Sequence, residues 1–243
     1  MQDLFIPLLA GHLIGDFLLQ TRAMAEAKKG LAARVWHAAV VGIVTCILVA
    51  AGPPSPAVAW LAVGLAVLLH FAIDTVKSGL AGEDENVYVF LIDQGAHVLA
   101  LVGIAVAFTS SGYSCLWMRV TPAYFRILIL ISGLILCVWF GAILMGKALQ
   151  PVIRELGDKP AEGLRHGGRR IGQLERALTY VLVLSGNAGA IGFLFAAKSI
   201  LRFGEIKQPG QRKEAEYIII GTFASFGWAM LVAVLTQRWL AHV

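Results

Sequence analysis

The chain has 243 residues and a mean hydropathy of +0.76; 58% of its residues are hydrophobic and 14% are charged. Soluble domains carry about 25% charged residues, so this composition excludes a soluble globular protein and predicts an all-α membrane protein with several spans. The net charge of +5 comes without a basic stretch interleaved with aromatic residues, so we expect membrane lipids as partners and no nucleic acid.

Seven apolar stretches have the length and hydropathy of membrane-spanning helices. They cover residues 4–20, 35–51, 57–77, 87–109, 124–146, 177–197 and 217–237. The first has no basic segment ahead of it and contains His12 and Asp16. It therefore differs from a signal peptide, and we expect it to remain as the first span.

The basic residues of the loops predict an orientation, because cytoplasmic loops are enriched in Lys and Arg. Residues 21–34 contain four basic residues and residues 147–176 contain seven, whereas 52–56 contain none and 110–126 contain two. These counts place the N-terminus outside and the basic loop 147–176 in the cytoplasm.

The sixth stretch, 177–197, has two interpretations. Residues 198–215 contain five basic residues, and a spanning sixth helix places them outside, against the charge rule. A re-entrant hairpin that turns near Asn187 removes this conflict, since irregular backbone is tolerated at membrane depth when protein surrounds it. We favour the span, because 21 residues are long enough to cross the bilayer.

The chemistry of the spans divides the chain into two parts. Residues 1–109 form a predicted four-helix transmembrane unit that contains all the His and Asp expected inside the membrane. Residues 110–243 form a predicted C-terminal transmembrane unit, in which the charged groups lie near helix ends and in loop 147–176.

Three pairs of ionisable residues at i,i+4 spacing lie within the first part. They are His12 with Asp16, His70 with Asp74, and Asp93 with His97. Each ionisable group inside a span costs about 2.5–3.5 kcal/mol on insertion scales, and residues four apart share a helix face. A hydrogen-bonded network without metal explains one such pair, but three aligned pairs favour a metal site.

Tracing the chain direction aligns the pairs in depth. Spans one and three run inward and span four runs outward, so each His lies deeper than its Asp by about 6 Å of helical rise. This predicts a histidine layer beneath an aspartate layer, with His37 near the level of the aspartates. Gly11 and Gly15 have GxxxG spacing beside the first pair, which favours close approach of a neighbouring helix.

The predicted ligand set exceeds one tetrahedral shell. Either one zinc ion binds the three histidines while the aspartates orient them, or two metal ions share a carboxylate. Zinc is our first choice, with iron or manganese as alternatives. The predicted metal ligands are His12, Asp16, His70, Asp74, Asp93 and His97, and the predicted catalytic residues are His37, Asp16 and Asp74.

Four motifs in this part of the chain resemble one known family. They are His12-x3-Asp16-Phe17-x2-Gln20, the downstream His37, His70-x3-Asp74-x2-Lys77, and Asp93-Gln94-x2-His97. Together they are similar to a bacterial membrane family called domain of unknown function 3307, and Ile171-Gly172-x2-Glu175-Arg176 resembles its longer members. The resemblance implies a helical inner-membrane protein without an established activity. A looser similarity in His/Asp pattern links it to membrane-bound metal-dependent hydrolases.

Several cations are candidates for contacts with an anion or a lipid headgroup. They are Lys77, Arg176, Lys198 and Arg202. For the last three we favour ion pairing and anchoring at the interface, with long side chains that reach the headgroup region.

The leading functional prediction is a membrane-embedded metal-dependent hydrolase that acts from the cytoplasmic side on a lipid-linked or membrane-proximal substrate. An ion- or proton-coupled transporter is the first alternative, since intramembrane His and Asp also form ion pathways. A sensor or scaffold stapled by metal is the second. An oligomer is compatible with all three.

Overall fold

A computed structural model describes residues 2–21, 24, 30–50, 56–80, 86–109, 115–117, 121, 123–156, 167–203 and 212–243. These residues are helical and contain no β-strand, which confirms the all-α prediction. The described part of the chain forms ten α-helices: α1 Gln2–Leu13, α2 Leu31–Val49, α3 Pro56–Leu80, α4 Val87–Ala107, α5 Tyr124–Ile135, α6 Gly141–Ala148, α7 Gln150–Leu156, α8 Gly167–Leu184, α9 Ile191–Phe203 and α10 Arg212–Leu240.

Five helical regions are long and apolar enough to cross a membrane, and they match five of the predicted spans. They are Leu31–Val49, Ala57–Gly79, Val87–Ala107, Tyr124–Ala148 and Lys213–Leu240. Two further apolar helices, Leu4–Leu19 and Ala188–Ile200, are shorter. The total of seven spans therefore stays a prediction.

The burial pattern of these helices is inverted relative to a soluble protein. Leu68 and Ile92 are 61% and 73% exposed, whereas His70 and Asp93 on the same two helices are 4% and 7% exposed. Apolar side chains outside and ionisable side chains inside are the arrangement that lipid favours. The chain is a helical membrane protein.

The described helices divide into two compact units, one ending at Ile135 and the other covering Leu136–His242. In the first unit, α1 packs against α2 and α4, α2 packs against α3, and α3 packs against α4. These contacts close a ring of four helices, and α5 also packs against α1. The ring gives four helices a shared interior. The division predicted after residue 109 was based on chemistry and stays a prediction.

Two glycines of the first span bring α1 and α2 into backbone contact. A Cβ atom on Gly15 would lie 2.6 Å from Val41 Cγ2 and 3.3 Å from Val41 Cα, and one on Gly11 would lie 3.0 Å from Thr45 Cα. Small residues at such positions allow membrane helices to approach closely. The close approach predicted from the glycine spacing is confirmed.

Local backbone features fix the positions of the polar side chains. After Leu13 the first helix widens into a π-helical segment, Ile14–Leu19, which carries Asp16; such segments are frequent at functional sites. Helix α4 begins at Val87 because Asn86 caps it, its Oδ1 accepting hydrogen bonds from the backbone N–H of Tyr88 and Val89 at 3.0 Å each.

In the second unit, α8 and α10 pack together, and both contact α6 and a π-helical segment, Leu136–Phe140. Helix α7 and the start of α8 lie within the predicted loop 147–176, so part of that loop is helical. Its residues 157–166 lie outside the described part.

The predicted sixth span is two helices instead of one. Helix α8 ends at Leu184, where the N–H of Asn187 donates to Leu182 O and the N–H of Gly186 donates to Val183 O, with φ of +77° at Gly186. These two bonds are the glycine-terminated helix end known as the Schellman motif. Helix α9 then turns back, and Lys198 Nζ reaches Glu175 Oε2 of α8 at 2.7 Å. The continuous helix expected over 177–197 is therefore wrong, because glycine ends it halfway.

Candidate metal centre

The ring of four helices in the first unit encloses a cluster of polar side chains, most of them ionisable. Helix α1 and its π-helical continuation contribute two residues, α2 one, α3 two and α4 three, and each is 8% exposed or less. The cluster consists of His12, Asp16, His37, His70, Asp74, Asp93, Gln94 and His97. All six predicted metal ligands and all three predicted catalytic residues lie in it.

Three of the histidines converge as their spacing predicts. The ring centroids of His12 and His97 are 4.9 Å apart and stacked, those of His70 and His97 are 4.4 Å apart, and those of His12 and His70 are 5.5 Å apart. One ring nitrogen from each can lie within 4.8 Å of the others. The predicted histidine layer is present.

The closest approach of potential ligand atoms is a triangle made by three helices. His37 Nε2 lies 3.1 Å from Asp16 Oδ1 and 3.1 Å from His70 Nε2, and His70 Nε2 lies 3.5 Å from Asp16 Oδ1. Zinc binds His nitrogen at about 2.0–2.1 Å and carboxylate oxygen at about 2.0–2.2 Å. Two ligands of a tetrahedral zinc ion are then about 3.3 Å apart, which is the size of this triangle.

The atoms of the triangle can be linked in two ways. A neutral imidazole has one N–H, which lies in the ring plane and points to one acceptor, so protons link the three atoms pairwise. A metal ion between them would contact all three at once.

A second carboxylate lies beside the triangle. Asp74 Oδ2 is 3.7 Å from His70 Nε2 and 3.9 Å from His37 Nε2. Together with the triangle it provides four ligand atoms, two nitrogens and two oxygens, drawn from α1, α2 and α3. Mixed imidazole and carboxylate ligands are typical of zinc, iron and manganese.

The remaining carboxylate is held by two donors. Lys77 Nζ donates to Asp93 Oδ2 at 3.0 Å, and Gln94 Nε2 donates to the same oxygen at 3.1 Å. Gln94 Nε2 also lies 3.4 Å from Asp16 Oδ2. Gln94 therefore links Asp93 to the carboxylate of the triangle and fixes which oxygen of Asp16 faces the histidines.

The proton positions of His97 follow from its bonds. Its Nδ1 lies 2.9 Å from the backbone carbonyl of Asp93, and since a carbonyl only accepts, Nδ1 carries the proton. A neutral His97 then presents an unprotonated Nε2, the form in which imidazole binds metal. Among the described residues, His97 Nε2 and both ring nitrogens of His12 have no hydrogen-bond partner. This deeper group is a candidate for a second ion.

Three carboxylates are buried in the cluster, those of Asp16, Asp74 and Asp93, and Asp93 pairs with Lys77. Isolated buried charges are strongly unfavourable, so carboxylates that are buried close together need protons or cations beside them. The donor atoms fit a divalent metal ion.

The geometry changes the predicted arrangement in one respect. The two layers were expected about 6 Å apart, but their side chains interleave, because Asp16 and Asp74 reach His70 Nε2 within 3.7 Å. Lys77 donates to Asp93, and its predicted contact with an anion or a lipid headgroup stays a prediction. Gln94 is a residue of the site for which the sequence predicted no role. Its position directly after Asp93, inside the motif, could have indicated that it belongs to the site.

An apolar groove reaches the cluster from the side. It has a volume of about 390 Å³ and lies between α3 and α4, with walls that include Ile73, Val76 and Ile92. Lys77 and Asp93 also line it. An ionisable pair thus stands at the edge of a mostly apolar groove.

The cations of the second half that were predicted to contact an anion belong to a different part of the chain from this cluster. Arg176 is 3% exposed and donates to Ser225 Oγ and Val138 O, and Lys198 pairs with Glu175. The ion pairing favoured for Lys198 is confirmed. The Arg202 side chain lies outside the described part.

The fold and the cluster define a helical membrane protein with buried His/Asp groups that can hold a metal ion. Residues 4–124 match the family described as protein of unknown function (DUF3307), a segment that includes every residue of the cluster. This supports the resemblance for the first half, while the resemblance of the C-terminal half stays a prediction. No curated protein and no solved structure matches the chain.

Proposed function

We propose that the protein is a metal-dependent hydrolase embedded in the membrane, acting on a lipid-linked substrate. The triangle of Asp16, His37 and His70 carries this proposal, because its buried atoms have the spacing of metal ligands and come from three different helical segments. The burial of carboxylates and imidazoles within one cluster supports a divalent cation. Zinc is the proposed metal, with iron or manganese as alternatives.

The ion would be held by Asp16, His37, His70 and Asp74. A metal of this kind lowers the pKa of bound water and polarises the bond to be cleaved. This assignment makes His37, predicted as a catalytic residue, a metal ligand. Asp93 is the better base, because its Oδ1 is buried without a hydrogen-bond partner among the described residues, and Asp93 lines the groove.

The groove between α3 and α4 supports a lipid-linked substrate. Its walls can accommodate an alkyl chain, while Lys77 at its edge can bind an anionic oxygen of the group next to the scissile bond. Such a substrate would enter from the lipid phase without crossing water. A phosphoester or carboxylic ester fits this combination of apolar wall and cation.

The test compares His70→Ala with His242→Ala in purified full-length protein. His242 is exposed beside the C-terminus, so its replacement is a matched control. We expect one or two zinc ions per chain in the control and loss of zinc in His70→Ala, measured by elemental analysis. Hydrolysis is measured with p-nitrophenyl palmitate and a p-nitrophenyl alkyl phosphodiester in detergent. Stoichiometric zinc in His70→Ala would refute the ligand assignment. If the wild type binds zinc but hydrolyses neither probe, the result would favour a scaffold stapled by metal over a hydrolase.

We also propose seven apolar segments in a bacterial inner membrane, with the N-terminus outside and α8–α9 as a re-entrant hairpin. The ion pair between Lys198 and Glu175 supports the hairpin, because it joins the two ends of the fold-back. A hairpin returns residues 198–215 to the side of the basic loop 147–176, in agreement with the charge rule. Labelling of single cysteines at positions 165 and 207 from one side tests this: equal reactivity supports the hairpin.

A proton-coupled transporter is the second candidate function. The observation that favours it is a continuous row of imidazoles, with ring centroids 5.1 Å apart for His37–His70 and 4.4 Å apart for His70–His97. Such rows relay protons in membrane proteins. Zinc-dependent proton flux in proteoliposomes, lost in His97→Ala and retained in His242→Ala, would place this function ahead of hydrolysis.

A further inference from the structure

The second unit contains a cavity of about 470 Å³, and no residue of the metal centre is part of its lining. Helices α6, α8, α9 and α10 contribute most of its lining, and α7 contributes Ile153. The lining near the ends of these helices is cationic, whereas Ile143, Leu149 and Ile218 form an apolar wall.

The most buried charge in this cavity is a guanidinium. Arg176 is 3% exposed, its Nη1 donates to Ser225 Oγ at 3.0 Å, and its Nη2 donates to Val138 O at 3.2 Å. Both acceptors are neutral, and Arg176 Nε has no hydrogen-bond partner among the described residues. A buried cation with neutral partners is unfavourable unless a counter-charge approaches it.

Among the described residues of the lining, cations outnumber carboxylates. Lys147, Arg169 and Lys198 line the cavity together with Arg176, and the described lining contains one carboxylate, Glu175. Glu175 is next to Arg176 in the chain and is bonded to Lys198 at 2.7 Å. These cations belong to three different helices.

We propose that this cavity binds a phosphate group. The guanidinium of Arg176 and the side chains of Arg169 and Lys198 provide the charge, and the hydroxyl groups of Ser225 and Thr222 provide further donors. Arginine binds phosphate through two parallel N–H groups, which gives orientation as well as attraction. This site is independent of the proposed hydrolase, since no residue of the metal centre lines the cavity.

The phosphate can belong to a membrane lipid or be free in solution. An apolar wall beside a cationic end suits a lipid, whose acyl chain would lie along Leu149 and Ile218. Free phosphate needs the cationic end alone. Both sources share the same recognition of phosphate oxygens, so one set of variants tests the site and two probes identify the source.

The test fills the cavity without disturbing its walls. A Cβ on Gly146, which lines the cavity, meets nothing within 4 Å, so Gly146→Leu places a side chain in the open space. Gly227 of α10 also has open space and does not line the cavity, so Gly227→Leu is the matched control. Leucine is a better helix former than glycine, so both variants should fold.

Full-length protein is titrated with inorganic phosphate by calorimetry. It is also incorporated into nanodiscs of phosphatidylcholine with or without phosphatidic acid, and retained lipid is counted by native mass spectrometry. We expect at least a tenfold loss of binding of one probe in Gly146→Leu and in Arg169→Gln, with Gly227→Leu and Arg238→Gln unchanged. Loss for phosphatidic acid alone assigns a lipid, and loss for inorganic phosphate assigns a free anion. Equal binding in Gly146→Leu and Gly227→Leu, or no binding to wild type, would overturn the proposal.

Discussion

In the first unit the buried ionisable groups are carboxylates and imidazoles, whereas in the second the buried charge is the guanidinium of Arg176. In the first set a carboxylate oxygen and an imidazole nitrogen both lie 3.1 Å from His37 Nε2. The second is a donor whose bonded partners are neutral. In our two proposals a cation binds to the buried groups of the first unit and an anion binds to the buried guanidinium of the second.

Both units contain a π-helical segment, but the segment has a different role in each. The π-helical segment of the first unit carries a ligand candidate, Asp16. The π-helical segment Leu136–Phe140 of the second instead offers carbonyl oxygens: Val138 O accepts from Arg176, and Leu136 O accepts from Trp228 Nε1 at 3.0 Å. In an apolar medium backbone irregularity persists when its polar groups are satisfied, and in the second unit the side chains of Arg176 and Trp228 do so.

The largest expected effect that tests this comparison is removal of metal. A ligand held at 1,000 times its dissociation constant stabilises the folded state by about 4 kcal/mol. Chelation of zinc should therefore lower the thermal unfolding midpoint of the wild type, measured by circular dichroism, and restoring zinc should raise it again.

The variants separate the two units in this experiment. The double variant His37→Ala/His70→Ala should show no change of midpoint with zinc. Gly146→Leu should respond to zinc as the wild type does, because Gly146 lines the cavity and is not part of the metal centre. If neither chelator nor zinc changes the unfolding midpoint of the wild type, the buried carboxylates and imidazoles of the first unit are linked by protons rather than by a metal ion.

The second prediction concerns the approach of α1 to α2. In Gly15→Ala the new Cβ would lie 2.6 Å from Val41 Cγ2 and 3.3 Å from its Cα, so Val41 must shift, and we expect the two helices to separate and Asp16 to move away from His37. Overpacking of this kind costs about 1–3 kcal/mol, and zinc affinity should fall with it.

Gly64→Ala is the control, because a Cβ at Gly64 meets nothing within 4 Å. Zinc titrations and melting of both variants are compared with the wild type. Unchanged zinc affinity in Gly15→Ala would show that the contact between α1 and α2 does not set the position of Asp16.

Much of the first unit could be predicted from its sequence. Residues His70 and Asp74 lie four apart on one helix, so a local rule places them on one face, and the cost of burying them predicts a shared site. The triangle could not be predicted, because it depends on His37 of α2, and its distance to Asp16 is set by packing at Gly15 and Val41.

The second unit was less predictable, for a reason visible at Gly186. By hydropathy alone, residues 177–197 are one apolar stretch. In the structure Gly186, with its positive φ, ends the helix, and the chain turns back. Burial of Arg176 was also missed, since its partners Val138 and Ser225 are 38 and 49 residues away. Contacts of that range follow from the fold rather than from local pattern.

The smallest expected effect concerns the carboxylate that opposes the cations of the cavity. In Glu175→Gln the ion pair with Lys198 is lost; the two side chains are 12% and 20% exposed, and pairs that retain solvent contact contribute about 1 kcal/mol or less. The stability should therefore fall slightly. Phosphate affinity should rise, because a negative charge leaves the lining and Lys198 becomes available to the anion.

These opposite signs distinguish a binding site from a structural ion pair. Glu155→Gln serves as the control, because Glu155 is exposed on α7 and does not line the cavity; it removes the same charge without the same contact. Stability is measured by thermal melting and affinity by phosphate calorimetry. If phosphate affinity falls together with stability in Glu175→Gln, the carboxylate organises the cavity, and the positive charge of the lining is not what attracts the anion.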